Sequence, residues 1–335
     1  MKQPKISVLM PLRNEAKHLP LALTSLFRQT ETDWELVAVD DGSHDGTEGL
    51  LRAAAGLDPR IRVTRNRGEG LVAALNHGLA LCRGGLVARM DGDDVSHPWR
   101  FARQLACLEG HPELGLLACN FRHFPRREVG LGMQHYESWQ NGLLTHEAIM
   151  RDLYVESPFV HPSVMVRQQV LVAAGGYRER GWPEDYDLWL RLAAAGVRFA
   201  RLPEVLFFWR EHPRRYTRTA KQCSAQAFRA CKAHHLRHGF LAGVNAVTLA
   251  GAGAEGRAWR QVLAAEGVAV ERWLDVDPRK IGRELHGAPV VSPEQVRRDG
   301  RKILVTVGTR GARAALRQWA ARVGLAEGRD YLCVT

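Results

Sequence analysis

The sequence lacks three features that would assign it to a specialised structural class. It has six cysteines in 335 residues but no C-x-x-C pair, so neither a disulfide scaffold nor a zinc ribbon is expected. Its longest uncharged run, residues 239–254, is rich in glycine and falls short of the ~20 apolar residues that a membrane span needs. Arg13, Asn14 and Glu15 interrupt the apolar start of the chain, which argues against a signal peptide. We therefore expect a protein of the reducing cytoplasm.

The composition is that of a folded protein with an excess of positive charge. Hydrophobic residues make up 45% and charged residues 25%, which excludes wholesale disorder, and the length suggests about two domains. Lysines and arginines number 47 against 36 aspartates and glutamates, which makes the formal net charge +11. Nucleic acid, an anionic membrane surface and a phosphorylated small molecule all suit this balance. Because the sequence has no zinc finger, single-strand platform or basic helix with interleaved aromatics, nucleic acid is not expected.

Short apolar runs alternate with helical patterns in the first 120 residues. The runs are typical of buried strands and occupy residues 6–11, 35–40, 61–65, 86–91 and 114–119. This alternation predicts an α/β fold with a mostly parallel sheet that is covered on both faces. Ligands bind at the carboxyl ends of the strands in such sheets. Acidic residues stand at two of these ends, with Asp40 and Asp41 after the second run and Asp91, Asp93 and Asp94 after the fourth.

The segment Asp91-Gly92-Asp93-Asp94 is the sharpest of these features. Three carboxylates within four residues repel one another, so they need a compensating cation if they lose hydration. Oxygen ligands favour Mg²⁺ or Mn²⁺, and proteins often share such ions with substrate phosphates. A solvated acidic turn explains the same residues, because Asp and Gly are common in loops. The segment by itself leaves these two interpretations open.

Residues 5–212 resemble the inverting family 2 glycosyltransferases of the GT-A fold, because several separated motifs occur in the order found in that family. The resemblance implies that the base of a nucleotide-sugar donor lies among four residues: Pro11, Arg13, Glu15 and Asp41. It also implies that Asp91 approaches the ribose and that Asp93 binds the metal that holds the diphosphate. The triplet leaves open whether Asp93 or Asp94 contacts that metal directly.

A second acidic segment, Glu184-Asp185-Tyr186-Asp187, stands at the start of a predicted helix. Asp187 precedes Arg191 by four residues, which is a favourable helical pair, and Glu184 suits the helix dipole. Asp185 could also do no more than interact favourably with the helix dipole. The segment resembles the Glu-Asp motif of the family, however, whose Asp is the catalytic base. We therefore predict that Asp185 is the general base.

Three sites with histidine require interpretation. We interpret His161 as a buried, hydrogen-bonded histidine at the start of a buried strand, in preference to a residue of the acceptor site. His212 follows a predicted strand and matches a family position that can reach the metal or the diphosphate; a solvated loop histidine is the open alternative. We expect no acidic or cysteine partner for His234, His235 and His238, and interpret them as the polar end of a helix.

A glycine-rich segment follows a predicted strand in the last 93 residues and opens a predicted helix. It contains Gly251, Gly253 and Gly256 in the spacing G-x-G-x-x-G, and Asp275 lies near the end of the next strand. The region resembles Rossmann-like units that bind nucleotide-sugars or NAD. Glycines that only pack the helix closely explain the pattern equally well. We predict three regions: a GT-A domain over residues 1–212, a basic helical connector over 213–242 and a Rossmann-like domain over 243–335.

The expected activity is metal-assisted transfer of a sugar, with inversion, from a nucleotide-diphospho-sugar such as a UDP-sugar to a hydroxyl of a glycan or glycolipid. The family implies a role in polysaccharide or lipopolysaccharide biosynthesis. Two alternatives are a nucleotidyltransferase and a nucleotide-binding or sensing protein acting through the C-terminal region. The first would need a glycine-rich basic loop after the first strand, where Pro11–Glu15 stands instead.

The basic residues are concentrated after the predicted catalytic helix. Residues 201–238 hold nine lysines and arginines against two glutamates, which accounts for +7 of the +11. A solvated basic helix would explain this segment. The alternative prediction is a surface for a phosphorylated acceptor, or for peripheral docking on the anionic inner face of the membrane.

Overall fold

The structure is a computed structural model that describes residues 3–66, 69–309 and 311–335. Two compact units divide the chain. The first runs to Ile149 and adds Pro158–Arg180 and Glu184–Thr219, while the second comprises Met150–Ser157, Gly181–Pro183 and Ala220–Thr335. The second unit therefore includes the helix of the predicted connector. Its buried residues, among them Leu236, pack in the core of the second unit, so the helix is not a separate linker.

The first unit is built on an eight-stranded mixed sheet. The strands are β1 (Ile6–Leu12), β2 (Trp34–Asp41), β3 (Ile61–Asn66), β4 (Leu86–Arg89), β5 (Val95–Ser96), β6 (Leu114–Phe124), β7 (Val164–Arg167) and β8 (Arg198–Arg210). Their order across the sheet is β3-β2-β1-β4-β7-β6-β8-β5. Every residue of β1 and β2 is buried, because helices cover both faces. The predicted α/β fold is thus confirmed, with antiparallel pairs at β7 and at β5.

Helices follow most of these strands. They are α1 (Leu19–Phe27), α2 (Thr47–Leu57), α3 (Leu71–Leu81), α4 (Arg100–Gly110), α5 (Leu131–Asn141), α6 (His146–Asp152), α7 (Gln168–Ala173), α8 (Glu184–Ala194) and α9 (Tyr216–Thr219). No helix is predicted from the sequence where α5 and α6 lie. Helix α5 escapes recognition because its two buried residues, Glu137 and Gln140, are polar, so no apolar stripe marks its inner face.

Strand direction brings distant loops to one edge of the sheet. Strands β1, β2 and β4 are parallel to one another. Strand β7 is antiparallel to both β4 and β6, so β6 and the parallel strand β8 run in the direction of β4. The carboxyl ends of β1, β2, β4 and β8 and the start of β7 therefore share an edge. A short 3₁₀ helix, His161–Ser163, directly precedes β7 at that edge.

The second unit contains a six-stranded sheet with its own core. Its strands are β9 (Ala246–Ala250), β10 (Ala269–Leu274), β11 (Glu284–Leu285), β12 (Ala288–Val291), β13 (Ile303–Val305) and β14 (Tyr331–Cys333). Their order is β11-β12-β10-β9-β13-β14, and all neighbours except β11 and β12 are parallel. The five parallel strands thus stand in the chain order third, second, first, fourth, fifth, which is the order of doubly wound sheets.

Three helices complete the second unit: α10 (Ala225–His238), α11 (Ala254–Ala265) and α12 (Ala312–Arg322). Trp259 and Trp273 are fully buried in its core. Each of the six cysteines is a free thiol in the described chain. Of the helices in the described ranges, none has the length and apolar character required to cross a membrane.

Candidate functional site

Three carboxylates meet in the loop after β4. One oxygen from each of Asp91, Asp93 and Asp94 lies within 4.8 Å of the others. Asp94 is buried, and its Oδ1 accepts a hydrogen bond of 2.7 Å from the backbone N–H of Arg210. Its buried Oδ2 accepts none from the described residues. Burial, and then the charges of Asp93 and Asp91, raise the pKa of Asp94 well above its usual range.

The loop after β8 lies against this acidic loop. His212 Nε2 is 3.0 Å from Asp93 Oδ2, and Arg210 Nε donates to the backbone oxygen of Asp93 at 2.5 Å. The side chains of His212 and Asp93 are 22% and 17% exposed, so both remain accessible. Carboxylate oxygens suit Mn²⁺ or Mg²⁺, and an imidazole nitrogen beside them suits Mn²⁺ better than Mg²⁺. The structure therefore places His212 next to Asp93, and a metal bound by both stays a prediction.

Asp41, at the end of β2, is held in one orientation by the chain around it. Its carboxylate is buried and accepts hydrogen bonds from Asn66 Nδ2 at 2.6 Å and from the backbone N–H of Gly70 at 3.2 Å. Arg13 Nη1 lies 3.6 Å from Asp41 Oδ2, and the Arg13 side chain is 55% exposed. Pro11 is buried in β1. The structure thus brings Arg13 and Asp41 together, while Pro11 is the last but one residue of β1.

The loop after β1 is tied to the loop after β2. The backbone N–H of Glu15 donates to Thr47 Oγ1 at 2.8 Å, and that of Ala16 donates to Asp45 Oδ2 at 3.0 Å. A Cβ placed on Gly92 would lie 3.3 Å from Glu15 Cβ, so Glu15 borders the acidic loop. Desolvation, followed by the charges of Asp93 and Asp91, raises the pKa of Glu15 to about 8. Glu15 thus lies beside the acidic loop and feels the charges of its carboxylates.

Arg89 is the last residue of β4 and pairs with Asp91 in the acidic loop. It was not predicted from the sequence as a site residue. Its Nη1 lies 2.5 Å from Asp91 Oδ1, and its buried Nε has no hydrogen-bond partner in the described chain. Burial raises the pKa values of Glu184 and Asp185, and the positive charge of Arg89 opposes that rise in both. A charged residue at the end of a fully buried four-residue strand is the signal that could have identified it.

Asp185 is the second residue of α8 and is partly exposed. Its Oδ1 accepts a hydrogen bond of 2.7 Å from the backbone N–H of Tyr186, which is the helix-dipole arrangement considered from the sequence. Desolvation and the neighbouring charge of Glu184 raise its pKa to about 6. Such a carboxyl group is mostly ionised at neutral pH, yet it is more basic than an ordinary aspartate. The arrangement is able to accept a proton.

His161 is buried beside this segment, with its polar atoms occupied. Its Nε2 lies 3.0 Å from the hydroxyl of Tyr177, and its Nδ1 lies 3.6 Å from Glu184 Oε1. Burial and the charge of Arg89 lower its pKa to about 3, so the ring is neutral. His161 is thus the satisfied histidine that the sequence favoured. It lies next to Glu184, the residue that precedes Asp185 in α8.

The glycine-rich loop of the second unit has geometry that explains two of its glycines by packing. Gly251 has φ +114°, and a Cβ on Gly256 would lie 1.9 Å from the Gly251 oxygen. No described atom comes within 4 Å of a Cβ on Gly253, so that position is open. Asp275 Oδ2 accepts hydrogen bonds from Ala252 N and Lys280 Nζ, each at 2.9 Å. A nucleotide site at these residues stays a prediction.

The basic segment is less exposed than its composition suggests. Arg201, Arg215 and Lys232 are buried. Arg201 donates to three backbone oxygens, those of Cys119, Leu143 and Pro158. Arg215 pairs with Glu211 at 2.8 Å, and Lys232 Nζ donates to the backbone oxygens of Val155 and Val334. These cations stabilise their own unit and cannot contribute to a basic docking surface.

Comparison with known proteins identifies relatives for the first part of the chain. The family model described as "Glycosyl transferase family 2" matches residues 7–173. The amylovoran biosynthesis glycosyltransferase AmsE of Erwinia amylovora is 34% identical over 203 residues, which are 60% of this chain and 74% of that protein.

Solved structures share the fold at lower identity. TarS 1–349 of S. aureus, in complex with UDP-GlcNAc, superimposes with a TM-score of 0.58 at 18% identity and covers 78% of this chain and 71% of that one. The mannosyltransferase PcManGT of Pyrobaculum calidifontis, in complex with GDP-Man and Mn²⁺, has a TM-score of 0.52 at 21% identity, with 79% and 70% covered. At this identity the likeness concerns the GT-A fold.

Proposed function

The chain belongs to glycosyl transferase family 2, and on that premise we propose that it transfers a sugar from a nucleoside-diphosphate sugar to an acceptor hydroxyl with inversion at the anomeric carbon. A UDP-sugar is the proposed donor and a glycan or glycolipid the proposed acceptor. The fold likeness to TarS, whose structure contains UDP-GlcNAc, supports the donor class. The relative AmsE, described as an amylovoran biosynthesis enzyme, supports a glycan acceptor.

The observation that carries this proposal is the group of three carboxylates after β4, with His212 Nε2 3.0 Å from Asp93 Oδ2. Arg89 binds Asp91 directly, and its charge acts on Asp185. A carboxylate that can accept a proton is therefore near a cluster of carboxylates suited to a metal and a diphosphate. Inverting transfer to a hydroxyl requires this combination, because one group must remove the proton while another region stabilises the leaving diphosphate.

The residues of the acidic loop fit a divalent cation. Asp93 and His212 would hold it, with Asp91 directed to the ribose of the donor. Asp94 would support the loop instead, because its Oδ1 accepts a hydrogen bond from the backbone N–H of Arg210 at the end of β8. Bound Mg²⁺ or Mn²⁺ would neutralise negative charge that develops on the diphosphate.

Asp185 would remove the proton of the acceptor hydroxyl as its oxygen attacks the anomeric carbon. The bond to the diphosphate breaks on the opposite face, so a single displacement inverts the configuration and no covalent enzyme intermediate forms. The raised pKa of Asp185 improves its basicity while leaving it mostly ionised at neutral pH. Glu184 and the neutral His161 would keep that carboxylate in a position of low hydration.

The donor base would lie over the ends of β1 and β2. Asp41 is rigidly oriented by Asn66 and Gly70, which suits a hydrogen-bond acceptor for the base. Arg13 is exposed and adjacent, so its guanidinium is available to contact the base or the ribose. Pro11 would form the floor of this part of the site.

The test is a panel of UDP- and GDP-sugars with Mn²⁺ or Mg²⁺, in which release of nucleoside diphosphate and transfer to added glycan acceptors are measured. We expect Asp185→Asn to retain donor binding and to lose transfer by about 10²–10⁴-fold. Asp93→Ala should lose metal-dependent donor binding.

Asp58→Asn is the matched control, because Asp58 pairs with Arg60 just before β3, at the opposite edge of the sheet. It should transfer like the wild type. Wild-type transfer by Asp185→Asn would contradict the assignment of the base, and transfer by Asp93→Ala without a change in metal dependence would contradict the assignment of the metal site.

A further inference from the structure

Helix α10 of the second unit presents two histidines on one face. His234 and His238 are four residues apart, a spacing that brings side chains together on a helix. Their ring centroids are 4.5 Å apart. The Trp182 ring, which belongs to the same unit, lies 5.3 Å from that of His234 and limits its rotation. The two imidazoles are therefore held as a pair.

Helix α11 supplies an acid that the sequence did not connect with this pair. Glu266 is the C-cap residue of α11, and its Oε1 lies 3.6 Å from His234 Nδ1. One ligand atom from each of His234, His238 and Glu266 lies within 4.8 Å of the other two. The expectation that these histidines lack an acidic partner is therefore wrong, because packing of α11 on α10 brings Glu266 to them.

The hydrogen bonding of His238 leaves one of its nitrogens suited to a metal. His238 Nδ1 lies 2.8 Å from the backbone oxygen of His234. A carbonyl oxygen only accepts, so Nδ1 carries the hydrogen and Nε2 bears the lone pair. Histidines that bind metals commonly donate their second N–H to a backbone carbonyl or carboxylate in this way, which sets the tautomer and the orientation of the ring.

The basic side chains of α10 are engaged away from the cluster. Arg237 Nη1 donates to the backbone oxygens of Leu241 and Val244, and Arg229 Nη1 lies 3.2 Å from Glu255 Oε1. Lys232 is buried, as described above. These cations have partners elsewhere, whereas the carboxylate of Glu266 lies 3.6 Å from His234 Nδ1. The local field then favours a divalent cation more than the net charge of the helix suggests.

We propose that His234, His238 and Glu266 bind a divalent transition-metal ion, and that Zn²⁺ is the ion best matched to them. Two imidazoles and a carboxylate are a known ligand set of zinc sites with an open fourth position, whereas Mg²⁺ and Ca²⁺ prefer oxygen ligands alone. The ion would join α10 to α11 and stabilise the second unit. This site is separate in sequence and chemistry from the acidic loop, and it does not depend on the proposed transferase activity.

The test is Zn²⁺ titration of the full chain by calorimetry, with excess Mg²⁺ present to occupy the acidic loop. Absorption of bound Co²⁺ then reports the ligand geometry. The wild type should bind one Zn²⁺ that His238→Ala and Glu266→Gln bind at least about 10-fold more weakly. Zn²⁺ should also raise the Tm of the wild type and not that of these variants.

Two controls make the outcome specific. His286→Asn removes an exposed histidine of the same unit at φ +52°, a conformation that asparagine tolerates, and should bind Zn²⁺ like the wild type. Asp93→Asn should keep the Zn²⁺-dependent rise in Tm. Glu266→Gln preserves shape, so it remains informative if His238→Ala does not fold. Zn²⁺ binding that is unchanged in Glu266→Gln, or a rise in Tm that is lost in Asp93→Asn, would overturn the proposal.

Discussion

The Nε2 atom of His212 lies 3.0 Å from Oδ2 of Asp93, although 119 residues separate them in the chain. Arg210 strengthens the same contact, because its backbone binds Asp94 and its guanidinium binds the backbone of Asp93. The end of β8 therefore holds the acidic loop in place. His212 is presented to Asp93 by this arrangement and not by its own loop alone.

We expect His212→Ala to weaken the response of the enzyme to Mn²⁺. Loss of an imidazole next to Asp93 should raise the Mn²⁺ concentration for half-maximal transfer by about 10-fold or more. The measurement is a Mn²⁺ titration of transfer at saturating donor. His111→Ala is the control, since His111 is exposed and pairs with Glu113 before β6. An unchanged Mn²⁺ requirement in His212→Ala would contradict a metal-binding role.

Arg89→Met should affect both donor binding and the base. Asp91 loses its 2.5 Å partner, so the KM for the donor should rise by about 10-fold. Burial raises the pKa of Asp185 and the charge of Arg89 partly offsets that rise, so removal of Arg89 should raise the pKa further and move the acidic limb of the pH–rate profile to higher pH.

Arg89→Lys separates these two effects. It retains the charge, so the pH profile should stay close to that of the wild type while the KM for the donor still rises. Circular dichroism checks that each variant is folded. A role of Arg89 in stability alone predicts no shift of the pH profile in Arg89→Met, and that result would count against an effect of Arg89 on Asp185.

The pH dependence of transfer should report Asp185. The base acts only when ionised, and its pKa is about 6, so kcat/KM should fall about tenfold per pH unit below pH 6. A limb that begins near pH 4, the ordinary range of aspartate, would argue against Asp185 as the base. The profile is measured with saturating Mg²⁺ to keep metal binding from limiting the rate.

The same pKa makes a prediction about stability. The folded state raises the pKa of Asp185 from 3.8 to about 6, so it binds more protons than the unfolded state between these values. The ionised carboxylate therefore destabilises the folded protein progressively as pH rises through this window. Asp185→Asn should have a higher Tm than the wild type at pH 7 and a smaller advantage at pH 4. An equal difference at both pH values would contradict this.

Two glycines of the second unit should differ in their response to substitution. A Cβ at Gly256 would lie 1.9 Å from the Gly251 oxygen, so Gly256→Ala should reduce the free energy of unfolding by about 1–3 kcal/mol. Gly253→Ala is the matched variant, because its Cβ meets no described atom within 4 Å and it should leave stability nearly unchanged. Urea unfolding measures both. Equal losses would show that helix packing does not explain Gly256.

Local sequence determined the strands, the acids at their ends and the start of α8. Buried strands and amphipathic helices leave periodic patterns, and the positions of Asp41, Asp93 and Asp185 follow directly from them. The same reasoning missed α5, whose inner face is polar. It also divided the chain at residue 213, because the sequence does not show that α10 buries Leu236 in the second core.

Only the tertiary structure decided which of these residues meet. Strand β7 is antiparallel to β4 and to β6, so β6 and β8 run in the same direction as β4. This topology brings His212 next to Asp93, although 119 residues separate them in the chain. The fold also buries Arg89 against Asp91, and packing of α11 on α10 brings Glu266 to His234 and His238. Residue types and local periodicity are properties of neighbours along the chain, whereas these contacts depend on strand order and on burial, which the whole fold sets.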